Sequence, residues 1–271
     1  MIEKIRQFEE HLYEEEKNIS TIEVYIREAK AFTQYLGDSY IDKGVVTNYK
    51  RVLQEKYKSV STLNTKITAV NAFLKFIDME DCTVKSLKVQ TRICPENVLS
   101  KEEYNRMTGY ALVTGRKKDY LIMRTLALTG CRISELSYFT TQALAEGVYN
   151  VWNKGKIREI YLPDKLILEV NKYCIENDIN EGVIFQGRKG KPITRSGVYR
   201  MMQKLAVATG IPKEKAHPHS LRHLFALTYV DAYNNIGELA DILGHSNLEV
   251  TRIYLASNRQ QKRKRMNELE L

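Results

Sequence analysis

Only one stretch of this 271-residue chain alternates in polarity with real strength. Val148-Tyr149-Asn150-Val151-Trp152 and Ile157-Arg158-Glu159-Ile160-Tyr161-Leu162 set apolar and polar residues in turn. Asn153-Lys154-Gly155-Lys156 between them has the turn chemistry of a hairpin. Gly182-Val183-Ile184-Phe185 offers a second, shorter strand candidate. Elsewhere apolar residues return at three and four positions, the period of a helix with one buried face. The sequence therefore specifies a mainly α fold with a small antiparallel β-sheet.

The first 80 residues carry helix periodicity only. Ser20 with Glu23 has the spacing of a capping box opening a helix through Tyr35-Leu36, and Gly37 is its stop. Val45, Tyr49, Val52 and Leu53 continue an apolar stripe, and Leu63, Ile67, Val70, Phe73, Leu74 and Ile77 repeat it. Four helices are expected, forming an all-α N-terminal helical bundle over residues 1–85. Periodicity fades toward Pro95, so 86–97 reads as a linker. A second domain, 98–271, opens at a capping box of Ser100 with Glu103, with Leu99 and Tyr104 placed as a hydrophobic staple. Within it a buried helix runs from Asp119 to Leu128 and stops at Thr129-Gly130, and a short helix spans Ile133 to Tyr138. Pro163 opens a helix to about Ile175, and Ser196 caps one to Ala208.

Charge narrows the choice of partner. Lys plus Arg (42) exceeds Asp plus Glu (33), and residues 91–271 carry 28 basic against 19 acidic side chains. Residues 43–75 carry seven basic and one acidic. A polyanion such as double-stranded DNA suits this pattern, because each neutralised phosphate releases counterions. Lys50, Arg51, Lys58 and Lys66 are the DNA-binding candidates of the bundle; a merely solvated basic face is the alternative. No apolar run is long enough to span a bilayer. With no secretory signal, and with Cys82, Cys94, Cys131 and Cys174 isolated rather than paired as CxxC, a cytoplasmic location without structural zinc is expected.

The chemistry concentrates late in the chain. His219-Ser220-Leu221-Arg222-His223 is followed by Gly244-His245 and then by Tyr254. An arginine can hold phosphate oxygens in a planar fork, a tyrosine can be a nucleophile, and histidines can move protons. Arg132, after Thr129-Gly130-Cys131 at a helix start, suits a phosphate as well. His219 and His223 have a spacing that could bind a metal, but Arg222 between them would repel a cation and no HExxH pattern exists, so no metal is expected.

Together, Thr129-Gly130-Cys131-Arg132-Ile133-Ser134-Glu135-Leu136, a hairpin lysine, His219-x-x-Arg222-His223, Leu243-Gly244-His245-Ser246 and Thr251-x-x-Tyr254 resemble the tyrosine recombinase (phage integrase) family over residues 96–257. The basic bundle is similar to that family's core-binding, SAM-like domain. The resemblance implies a site-specific DNA recombinase or integrase that works without metal, ATP or other cofactor. Tyr254 would form a 3′-phosphotyrosyl intermediate while Arg132 and Arg222 grip the non-bridging oxygens. The hairpin lysine would protonate the leaving oxygen; Lys154 is the first choice and Lys156 the competitor. His219 would take or orient the tyrosine proton and His245 would bond a phosphoryl oxygen. Glu135 would orient the site, with His217 and His223 structural. A homotetramer on two DNA sites is implied, and the tail 256–271 is expected to dock on a neighbouring protomer. No further arm-binding domain is read. A type IB topoisomerase-like relaxase and a non-catalytic DNA-binding regulator are the alternatives on the same scaffold.

Overall fold

The computed structural model describes residues 1–88, 97–153, 156–187, 190–244, 251, 253–255 and 266–268, the side chains of Asn153 and Lys156 excepted. The chain divides into two compact units, Met1–Thr91 and Arg92–Leu271. Most of the segment read as a linker, and nearly all of the tail expected to dock in trans, lie outside the described residues.

The first unit is built from α1 (Ile2–Glu14), α2 (Ile19–Leu36), α3 (Lys43–Lys56) and α4 (Val60–Phe76). Phe8, Leu12, Ile22, Phe32, Phe73 and Leu74 form the heart of its core. The cap of α2 differs from the sequence reading. Asn18 Oδ1 accepts from the Ser20 amide at 3.0 Å and from the Ser20 hydroxyl at 2.7 Å. Ser20 is thereby spent as a donor two residues past the cap, and no box with Glu23 forms. The stop at Gly37 holds, at φ 53°.

After α4 the chain runs back along the bundle. Asn71 exchanges two hydrogen bonds with the backbone of Val84, at 2.8 and 3.0 Å, and Asn64 does the same with Leu87, at 2.9 and 2.8 Å. Seven helical residues rise about 10.5 Å, and three extended residues span roughly 10 Å. The two asparagines, seven apart on the helix, thus meet residues three apart on the returning extended segment.

The second unit opens with α5 (Lys101–Val113), held by the expected capping box of Ser100 and Glu103, with Leu99 and Tyr104 buried beside it. Next come α6 (Lys117–Thr129), a 3-10 helix (Ile133–Tyr138) and α7 (Thr141–Glu146). Strands β1 (Val148–Asn153) and β2 (Lys156–Tyr161) form the antiparallel hairpin, with Tyr149 opposite Ile160 and Val151 opposite Arg158. Then follow α8 (Asp164–Glu176), α9 (Arg195–Thr209), α10 (Pro218–Tyr233), α11 (Ile236–Leu243) and a 3-10 turn (Ile253–Leu255).

Helix α6 is the spine of this unit: Leu121, Ile122, Met123 and Leu126 are fully buried, and it packs on α5, α8 and α10. Two expectations are corrected. Gly182–Phe185 forms no strand but a single bridge from Val183 to Thr140; Ile184 and Phe185 are buried side chains of an irregular loop. Helix α9 is capped by Thr194, whose Oγ1 accepts from the Gly197 amide at 3.1 Å, two residues before Ser196. A smaller cluster of Ala226, Val230, Leu239, Leu243 and Tyr254 binds α10, α11 and the last 3-10 turn together. Among the described residues no helix is long and apolar enough to cross a membrane.

Candidate active site

Helix α6 ends at Gly130, in the left-handed region at φ 61°. A Cβ there would lie 2.5 Å from the ring of Phe225, so only glycine lets α10 approach this closely. The turn delivers Arg132 to the N-cap of the 3-10 helix. Its amide donates to Glu135 Oε2 at 2.5 Å, its Nη1 to Glu135 Oε1 at 3.1 Å, and its Nη2 to the Gly244 carbonyl at 3.1 Å. Arg222, on the first turns of α10, is 1% exposed. It donates from Nη1 to the Gly130 carbonyl at 2.6 Å and from Nη2 to the Leu243 carbonyl. The two arginines cross-brace the site, each bonding backbone in the loop beside the other.

A third arginine joins them. Arg158 lies on β2 with its side chain 8% exposed, and bonds Glu135 through Nη2 and the Ile242 carbonyl through Nη1. It escaped notice in the sequence because its strand reads as polar there. The signal was present: Arg158 stands two residues from buried Ile160, on the inward face of the hairpin. Among the described residues Glu135 is the carboxylate that Arg132 and Arg158 both bond, and Arg222 feels the charges of all three. Burial, then Arg132 and Arg158, pull the Arg222 pKa down to about 10, so it stays charged at neutral pH.

Tyr254 is buried in the 3-10 turn, and its Oη lies 2.6 Å from His223 Nδ1. His223, read from the sequence as structural, is therefore the histidine that meets the phenol. The His219 ring stands 4.4 Å from that of His223, edge to face, and shows itself to solvent. Its packed surroundings, followed by the charges of Arg222, His217 and Arg132, hold its pKa below the ordinary histidine value. Burial pushes the Tyr254 phenol up to about 12, with Arg222 pulling the other way. His217 caps α10, its Nδ1 accepting from the Ser220 amide at 3.1 Å.

Lys154 and His245 lie outside the described residues, as does the side chain of Lys156. Gly244, at φ 60°, is the left-handed cap that ends α11, and a Cβ on it would meet Arg158 Cδ at 2.6 Å. In the first unit the basic candidates separate. Lys58 is exposed, and Arg51 bonds Asn48 at 2.9 Å. Lys50 donates to the Lys85 carbonyl at 2.6 Å. Lys66 is no part of an open basic face: it is 14% exposed and paired at 2.7 Å with Glu28, which is 1% exposed.

The description Phage integrase family matches residues 97–261, more than half of the sequence. A tyrosine recombinase of Pseudothermotoga lettingae is 28% identical over 92% of this chain and 91% of its own. Tyrosine recombinase XerD of Oceanobacillus iheyensis is 26% identical over 90% of each. The solved structure of the Tn1549 transposon integrase in complex with a circular intermediate DNA shares the fold, with a TM-score of 0.74 and 19% identity over 98% of this chain and 99% of that one. The chain belongs to the phage integrase family of tyrosine recombinases.

Proposed function

We propose that this chain is a site-specific DNA recombinase whose nucleophile is Tyr254. The reading is carried by one observation: Arg132, Arg158 and Arg222 gather around Glu135, beside a buried tyrosine and two histidines. A phosphodiester brings one negative charge, and in-line attack raises it toward two. Donors fixed in advance stabilise that rise without reorganising. Arginine suits the task because it stays charged and offers parallel donors.

Tyr254 Oη forms a bond to phosphorus as the bond to the 5′-oxygen breaks, leaving a 3′-phosphotyrosyl link and a free 5′-hydroxyl. The energy of the broken linkage stays in the new one, so rejoining by reversal needs no ATP. Two protons must move. The phenol's proton passes to His219, which is unprotonated at neutral pH because its pKa is lowered. His223 holds the phenol at rest. The 5′-oxygen takes its proton from the hairpin lysine, Lys154 or Lys156, while His245 bonds a phosphoryl oxygen.

One chain supplies one nucleophile, and exchanging two duplexes requires four cuts. The working assembly is therefore four protomers on two DNA sites. The test uses DNA recovered covalently bound to the protein from cells. Wild type gives a shifted band on a denaturing gel; Tyr254→Phe binds the same DNA and gives none. An adduct formed by Tyr254→Phe, or none formed by wild type, overturns the proposal.

A further inference from the structure

We propose that Arg158 is a positioning residue for strand cleavage, holding Arg132 ready for the phosphate through Glu135 and through the Gly244 turn. The proposal rests on the reading of Arg132 as a phosphate anchor. Arg158 reaches Arg132 by two independent routes. Its Nη2 bonds the same Glu135 carboxylate oxygen that accepts the Arg132 amide, while the other oxygen accepts Arg132 Nη1. Its Cδ packs where a Gly244 side chain would stand, and the Gly244 carbonyl accepts Arg132 Nη2 at 3.1 Å. Its Nη1 meanwhile takes the Ile242 carbonyl, one of the last of α11 and without a helical partner among the described residues.

Only a planar fork does this. Two terminal nitrogens leave one carbon in different directions, one toward the 3-10 helix and one toward the end of α11. A lysine carries the same charge on a single nitrogen and can serve only one of the two. Nor is the arginine there for stability alone. Its Nε is buried and has no hydrogen-bond partner among the described residues, an arrangement that costs stability. Because Arg158 sits on β2, next after the hairpin turn, it also ties the strand of the proposed acid to the loops of both anchors.

The experiment measures single-turnover adduct formation at saturating DNA, with DNA affinity and melting temperature recorded for each variant. Arg158→Lys is expected to melt within about 5 °C of wild type and to bind DNA within about threefold. Its adduct rate is expected to fall by about 10²-fold, the cost of a small misplacement of a reacting group. The defect should be equally large on a substrate with a 5′-bridging sulfur, since the missing function is not the leaving group's proton. Glu135→Gln should show a similar loss, and the double variant should be slower than Glu135→Gln by no more than about twofold, because the two act in one chain of contacts.

A wild-type rate in Arg158→Lys, its rescue by sulfur, or losses that multiply in the double variant would overturn the proposal. Should Arg158→Lys fail to fold, Glu135→Gln alone decides it, and an unchanged rate there refutes the route through Glu135. Failure of the underlying reading is seen separately, as wild type giving no adduct.

Discussion

Replacing Gly130 by alanine tests the packing that brings the two arginine motifs together. Gly130 and Gly210 both end helices with left-handed backbone, at φ 61° and 67°. A Cβ at 210 has nothing within 4 Å, whereas one at 130 lies 2.5 Å from Phe225 Cδ1 and 2.9 Å from Cε1. Gly210→Ala therefore costs only backbone strain, about 1–2 kcal/mol. Gly130→Ala adds overpacking of roughly 1–3 kcal/mol, for a total of about 2–5 kcal/mol. The Phe225 ring cannot simply swing aside, since it packs on Tyr229 with centroids 5.9 Å apart and on the cluster under Tyr254. Urea unfolding followed by tryptophan fluorescence reads the effect in the right unit, because the single tryptophan, Trp152, lies on β1. Phe225→Leu in the Gly130→Ala background should recover most of the steric part. Activity should fall further than stability, because the Gly130 carbonyl anchors Arg222. Equal unfolding midpoints for Gly130→Ala and Gly210→Ala would refute the reasoning.

Three other outcomes are expected. Lys154→Ala and Lys156→Ala should differ on DNA with a 5′-bridging sulfur: only the acid's defect is rescued, since sulfur leaves without a proton, and rescue of neither removes the acid from the hairpin. His217 and His219 have folded pKa values below the ordinary histidine value, both through desolvation by their packed surroundings first. Below about pH 6.5 the unfolded chain gains protons that the folded one resists. Stability should thus fall on acidification from neutral pH, less steeply in His219→Asn; a rise in urea midpoint on acidification contradicts this. In the first unit, Glu28→Ala leaves the Lys66 ammonium largely buried without its partner and should cost about 3–5 kcal/mol. Glu28→Leu with Lys66→Met should cost less, and calorimetry showing the single variant as the milder one would disprove the pairing.

Local chemistry was readable in the sequence wherever a few adjacent residues decide the outcome. The capping box at Ser100 and Glu103, the stop at Gly130 and the hairpin from 148 to 162 all formed. Local reading failed where two residues competed for one role, as when Asn18 took the cap from Ser20 and Thr194 took it from Ser196. Side-chain partners across the fold were beyond reach. Arg132 meets a carbonyl 112 residues away, and Lys66 turns inward to a glutamate 38 residues earlier. Arg158 was hidden for a different reason: an arginine in an alternating strand is assumed to point outward, and here Glu135 compensates its burial.

Cleavage through Tyr254 is defined by which atom becomes joined to DNA. Digesting the trapped adduct with protease and nuclease, then sequencing the modified peptide by mass spectrometry, reads that atom directly. The expected product is a nucleotide 3′-phosphate on the tyrosine of Ile253-Tyr254-Leu255. A phosphate on any other residue, or attached through a 5′ end, would contradict it.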